Sequence, residues 1–325
     1  MKNSKTNADV CFEKAIAAKD AGHFQRAKQW FSKAAELSDR TKQALFWLMA
    51  ADCDKQQGRL SDALQSLRIA KRCNPASHMV LISIGLLHME MKKPKLAQRA
   101  FQKAICLKPT AVGYIFLGKA FRQQEQFNQC KSCYQSALRL EPDNEEAHYN
   151  LGVCCRDDRQ YSRAEKHFRR ALEIDPKYAL AYAELGSVLF KKKEYQESYK
   201  ALQRSVRQDP DYYWSRLYLA VTNVVLRRLK EAEKQYHQAI RIAPQDSMGY
   251  ALLGDFLSME QRADAEKYLK KAIALDPSCE SALYYMSKHL LRNNRGKEAM
   301  MYLRKAARKG HDEAKVLLNK VGMIH

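Results

Sequence analysis

Ala164-Glu165-Lys166-His167-Phe168-Arg169-Arg170-Ala171-Leu172-Glu173-Ile174-Asp175-Pro176 is the stretch that decides the fold. Ala164, Phe168 and Ala171 fall at steps of four and three, which puts them on one face of an α-helix. Pro176 closes that helix, because proline cannot continue the hydrogen-bond ladder. Upstream, Tyr149-Asn150-Leu151-Gly152 and Cys155 carry a second helical pattern, and the charged run 156–159 separates the two. The stretch reads as two antiparallel helices. Gly152 and Ala164 let their backbones approach closely, and Phe168 is expected to fill the wider end of the pair.

The same slots recur along the chain. Pro75, Pro109, Pro142, Pro176, Pro210, Pro244 and Pro277 follow one another at intervals of 34, 33, 34, 34, 34 and 33 residues. Glycine returns as Gly85, Gly118, Gly186 and Gly254, and alanine as Ala63, Ala97, Ala232 and Ala265. The bulky slot returns as Phe101, Tyr134, Tyr236 and Leu269. A fixed period of this length means one helix–turn–helix unit copied along the chain. Nine units begin near residues 8, 44, 78, 111, 145, 179, 213, 247 and 280. The sixth unit departs from the pattern, with Ser198 and Ser205 where alanine is usual.

This pattern resembles the tetratricopeptide repeat over nearly the whole chain. The resemblance rests on Leu117-Gly118, Leu151-Gly152, Leu185-Gly186 and Leu253-Gly254, with Ala27, Phe31 and Ala34 extending it toward the N-terminus. Ala299, Leu303 and Ala306 extend it toward the C-terminus, while Lys14-Ala15 replaces the Leu-Gly pair in the first unit. It implies an all-α, right-handed superhelical solenoid of antiparallel helix pairs whose first helices line a concave groove. The expected organisation is a tail over residues 1–7, the solenoid over 8–311, and a C-terminal capping helix and tail over 312–325, with Asp312 as the helix cap.

Composition narrows the function. The N-terminus has no signal-like apolar stretch, and the run 217–226, broken by Thr222 and Asn223, is too short to cross a bilayer. Nine cysteines placed inside helices suit a reducing compartment, so a cytoplasmic protein is expected. Cys130 and Cys133 have zinc-ligand spacing, and Cys154-Cys155 follow on the next helix. Zinc pairs normally occupy knuckle-like turns, however, and adjacent helical residues point about 100° apart. These thiols read as small apolar packing residues, and no metal or cofactor site is assigned.

Catalysis finds no motif. The sequence lacks a phosphate-cradling glycine loop, a His-Glu-x-x-His pair and a strand–turn–helix nucleophile. The array also resembles the peptide-binding part of the eukaryotic O-linked sugar transferase. The groove asparagines of that family are reduced here to Asn150, and no catalytic domain follows.

Function is therefore expected in the groove. Register assigns Lys119, Arg122, Tyr149, Asn150 and Arg156 to it in the fourth and fifth units. The seventh supplies Trp214, Leu217, Tyr218, Val221 and Val225, and the ninth supplies Tyr284, Tyr285, Lys288 and Arg292. Aromatic and arginine side chains dominate interface hot spots. The seventh unit is apolar at every groove slot, which a surface left to water has no reason to be. The expected activity is a noncatalytic scaffold that binds a peptide segment or protein domain, acidic in one version, or a second copy of itself through the seventh unit. Lys119, Arg122, Asn150 and Arg156 partly resemble the carboxylate clamp of chaperone-tail adaptors, but Leu180 and Glu184 occupy its remaining basic positions.

Charge leaves an alternative open. Lysine and arginine number 57 against 36 acidic residues, a net charge of +21. Arg59, Lys92, Arg159, Lys192, Arg227, Arg262 and Arg295 fall at equivalent turns, which should align as a positive edge able to attract nucleic acid or an anionic membrane.

Overall fold

A computed structural model describes residues 6–322, and among these it contains nineteen helices and no strand. The first pairs are α1 (Asn7–Asp20) with α2 (Phe24–Glu36) and α3 (Arg40–Gln56) with α4 (Leu60–Cys73). Next come α5 (His78–Glu90) with α6 (Pro94–Leu107) and α7 (Ala111–Arg122) with α8 (Phe127–Leu140). They are followed by α9 (Glu145–Asp157), α10 (Tyr161–Ile174), and α11 (Ala179–Lys191) with α12 (Tyr195–Gln208). The last are α13 (Tyr213–Val225) with α14 (Leu229–Ile242), α15 (Ser247–Met259) with α16 (Ala265–Leu275), and α17 (Glu280–Arg292) with α18 (Gly296–Lys309). A final helix, α19 (Asp312–Gly322), packs on α18 through Ala314 and Leu317. Two compact units divide the chain, Met1–Cys154 and Cys155–His325.

Within a pair, one contact repeats. A Cβ added to Gly118 would lie 2.6 Å from the ring of Tyr134, and one added to Gly186 would lie 2.5 Å from Leu202. Gly85 meets Phe101 and Gly254 meets Leu269 in the same way. The bulky residue of the second helix therefore sits directly on the glycine of the first, rather than at a wider end of the pair. Tyr134, Phe101, Leu202 and Leu269 are fully buried by this arrangement.

The turns repeat as closely. The residue ending each first-helix turn is left-handed: Gly22 and Gly58 in the first two units, then Lys92, Glu125, Arg159, Lys193, Arg227, Gln261 and Asn294 at φ between 55° and 66°. An L-residue pays about 1–2 kcal/mol for that conformation. It is tolerated because the next amide is fixed onto the first helix, as Arg228 N–H is by Asn223 O at 2.9 Å and Lys93 N–H by His88 O at 2.8 Å.

The serines of the sixth unit are matched by polar partners in the seventh. Ser198 Oγ donates to Gly186 O at 2.7 Å and lies 3.4 Å from Thr222 Oγ1. Ser205 Oγ donates to Ala179 O at 2.8 Å and lies 2.6 Å from Ser215 Oγ. All four side chains are buried, so each hydroxyl removed from water has a partner.

At the chain ends, Thr6 and Asp9 form a reciprocal cap on α1, which begins at Asn7. Residues 1–5 of the expected tail and residues 323–325 lie outside the described residues. Asp312 is the first residue of α19 rather than its cap, and Ala314 N–H donates to His311 Nδ1 at 3.3 Å.

Candidate protein-binding groove

Side chains on the first helices that are not spent on the pair interior face the first helices of neighbouring pairs. In the residues up to Cys154, Lys19 bonds Asp52 at 2.7 Å, Lys55 bonds Glu90 at 3.3 Å, and Lys119 bonds Glu146. After Cys155, Arg156 bonds Glu184, and Asp255 receives Lys288 at 3.1 Å and Arg292 at 3.6 Å. These pairs join one first helix to the next. Burial opposes the charge of Arg156, but Glu184 and Asp157 outweigh it and hold the guanidinium above its ordinary value. Lys119, Arg156, Lys288 and Arg292 are thus already bonded to carboxylates, and an acidic ligand would have to compete for them.

The seventh pair differs. Trp214 remains 42% exposed with its ring edge-on to Tyr213 at 5.2 Å, and Val225 is also 42% exposed. Tyr218 and Val221 are half-buried. Met259 on α15, which contacts α13, is exposed as well. Leu217 departs from its expected place. It is 2% exposed and packs in the core with Ala220, Ala232, Tyr236 and Leu253, so it is not available to a ligand. The reason is angular: Leu217 lies one turn before Val221 but three residues before Ala220, close enough to the inward stripe to be drawn under it. Leu219 and Ala220 are buried as the register requires.

The remaining assigned residues are less available. Asn150 is buried and donates to Glu146 O at 2.7 Å. Tyr149 and Arg122 are half-buried. Tyr285 packs against Leu269, Met286 and Ala272, while burial, then Asp255, raises its phenol above the ordinary value. Tyr284 stacks on His311 at 4.3 Å, and Lys288 sits over the rings of Tyr284 and Tyr285 at 5.6 and 5.3 Å.

A hollow of about 360 Å³ between α3 and α5 was not anticipated from sequence. Leu48, Met49 and Leu86 line it, with Lys19, Asp52 and Lys55 at its rim. Its signal was present: the register that selects Tyr149 and Asn150 selects Leu48 and Met49 three units earlier.

The four cysteines of the fourth and fifth units lie in the interior, while Cys106 is exposed and Cys73 and Cys279 are half-buried. Cys130 Sγ and Cys154 Sγ are 3.6 Å apart, both buried, and burial, then the Cys130 charge, pushes the Cys133 thiol up to about 12. A thiol so raised is protonated near neutrality and a poor metal ligand or nucleophile. Among the described residues no group of three metal-ligating side chains converges, and no helix is long and apolar enough to cross a membrane.

Sequence models described as tetratricopeptide repeat match residues 12–78, 117–179 and 250–314 in one case, and 156–211 and 189–255 in another. No curated protein matches. Among solved structures, the chain is similar to a chain of the APC/C hetero-tetramer Cut9–Hcn1, with TM-score 0.65, 13% identity, and coverage of 96% of this chain and 76% of that one. It is also similar to a tetratricopeptide repeat protein from Parabacteroides merdae, with TM-score 0.63, 18% identity, and coverage of 75% and 98%. The third is PilF of Pseudomonas aeruginosa, with TM-score 0.58, 19% identity, and coverage of 63% and 94%. At these identities the likeness establishes the fold.

Proposed function

The chain belongs to the tetratricopeptide repeat family, and on that premise we propose that it is a noncatalytic adaptor that holds a peptide segment or protein domain in its groove and assembles a complex. The observation that carries this reading is the exposure of Trp214 and Val225, at opposite ends of α13, and of Met259 on α15, on first helices whose inward faces are already filled. Removing exposed apolar side chains from water stabilises a complex, and an exposed tryptophan contributes a few kcal/mol, on the order of other aromatic hot spots.

The ligand these side chains favour carries apolar residues. Two pairs further along, Lys288 and Arg292 of α17 are bonded to Asp255 of α15 and supply charge on the same series of first helices. Charges at the rim of an interface act on association rate and specificity more than on complex lifetime.

Panning a random peptide display library on the full chain tests the reading. Enriched peptides should share bulky apolar residues and should lose at least about tenfold in affinity for Trp214→Ala. Enrichment of peptides indifferent to Trp214 would reject the seventh pair as the site. Concentration-dependent dimerisation abolished by the same substitution would instead identify the occupant as a second copy of the chain.

A further inference from the structure

From Met91 to Gln124 the sequence carries eight lysines and arginines and no aspartate or glutamate. α6 lies inside that stretch. Its Lys95, Arg99 and Lys103 stand on one exposed face at steps of four residues, each about 6 Å from the next along the helix axis. Lys92 and Lys93 extend the file through the preceding turn, and Arg68, exposed on α4, lies like Lys93 close enough to His88 to act on its charge. The junction is marked by His88, which burial, then Lys93, then Arg68 hold below its ordinary value. Its Nδ1 is buried and has no hydrogen-bond partner.

Cations at several equivalent turns elsewhere are neutralised, whereas Arg159 and Arg227 form no ion pair among the described residues. Arg59 bonds Asp54, Lys192 bonds Glu165 and Glu194, and Arg295 bonds Glu266 and Glu298. None of the six cations around α6 makes an ion pair among the described residues. Like charges gathered without carboxylates repel one another, and a polyanion relieves that repulsion while releasing its own counterions.

We propose that this face of α4 and α6 binds the phosphate backbone of a nucleic-acid duplex without reading its sequence. A duplex offers one negative charge per about 1.7 Å of axis, dense enough to engage the whole file. The face has no platform for stacking unpaired bases: α4 carries no aromatic residue, and the aromatic ring of α6, Phe101, is fully buried over Gly85. A lipid surface fits less well. The exposed apolar residues of α6 are Leu96 near its start and Cys106 and Leu107 at its end, with only Arg99, Gln102 and Lys103 exposed between them, so no continuous apolar stripe is available to insert.

The test is fluorescence anisotropy of the full chain with a labelled 20-base-pair duplex of scrambled sequence, over a range of salt concentrations. Two triple variants are compared with the parent: Lys95→Glu/Arg99→Glu/Lys103→Glu, and a control, Lys230→Glu/Lys234→Glu/Lys267→Glu, with the same change in net charge. Circular dichroism verifies that both remain helical. The α6 triple should weaken binding at least about tenfold at 0.1 M salt and reduce the slope of log affinity against log salt by about 2.7, three phosphate contacts at about 0.9 each. The control should stay within about twofold of the parent. Equal losses in the two variants would reduce the effect to net charge and overturn the proposal. So would α6-dependent binding to vesicles containing phosphatidylserine without binding to the duplex. Should the α6 triple lose helicity, single substitutions Arg99→Gln and Lys103→Gln replace it; no change in salt slope for either overturns the proposal equally.

Discussion

The interior of the helix pairs and the groove face of the first helices obey different rules. Inside, the same geometry returns with little variation: a ring or leucine pressed on a glycine at Gly85, Gly118, Gly186 and Gly254. On the groove face, the fourth pair places Lys119 on Glu146, whereas the seventh leaves Trp214 and Val225 to solvent. Positions that cannot change without collision hold the fold. Positions that differ from one pair to the next are where a particular ligand can be recognised.

The largest effect should come from breaking the interior. Gly118→Val adds atoms where even a Cβ lies 2.6 Å from the fully buried ring of Tyr134. The cost should be about 3 kcal/mol, at the upper end of overpacking, and limited proteolysis should open α7 and α8 before the rest of the chain. An unchanged melting curve would mean that the ring has room to move aside.

A smaller effect sharpens the comparison from within. Ser205→Ala should cost about 1–2 kcal/mol because Ser215 loses its 2.6 Å partner in a buried site. Adding Ser215→Ala should restore much of that loss in a double-mutant cycle measured by chemical unfolding. Strictly additive losses would show that the two hydroxyls do not act as a pair.

The smallest effect is a gain. Arg227 sits at φ 58°, in the conformation that Gly22 and Gly58 occupy in the first units. Arg227→Gly should raise stability by up to about 1 kcal/mol, the left-handed penalty less the added chain entropy of glycine. A lower melting temperature would show that the arginine side chain contributes more than its backbone costs.

The interior was legible in the sequence because it repeats. Proline spacing, Leu-Gly pairs and bulky slots each supply several independent readings of one geometry. The turns were half-legible: Gly22 and Gly58 announce a left-handed residue, but Lys92 or Arg227 at the same place carries no such mark. The groove was harder to read, since register gives a direction without giving depth. Leu217 and Tyr218 are adjacent, and only packing against Tyr236 and Leu253 separates the buried one from the half-buried one. Charge misled for a related reason. Arg156 and Lys288 look like ligand contacts until Glu184 and Asp255 are found opposite them, 28 and 33 residues away.

The central claim is that Trp214 belongs to the groove and not to the core. The most direct measurement is a paired one on Trp214→Ala: affinity for a display-selected peptide and the midpoint of thermal unfolding, against the parent chain. A side chain that is 42% exposed leaves little cavity when truncated. Affinity should therefore fall at least about tenfold while stability changes by less than about 1 kcal/mol. Normal affinity with a markedly lower melting temperature would place Trp214 in the core and contradict the account.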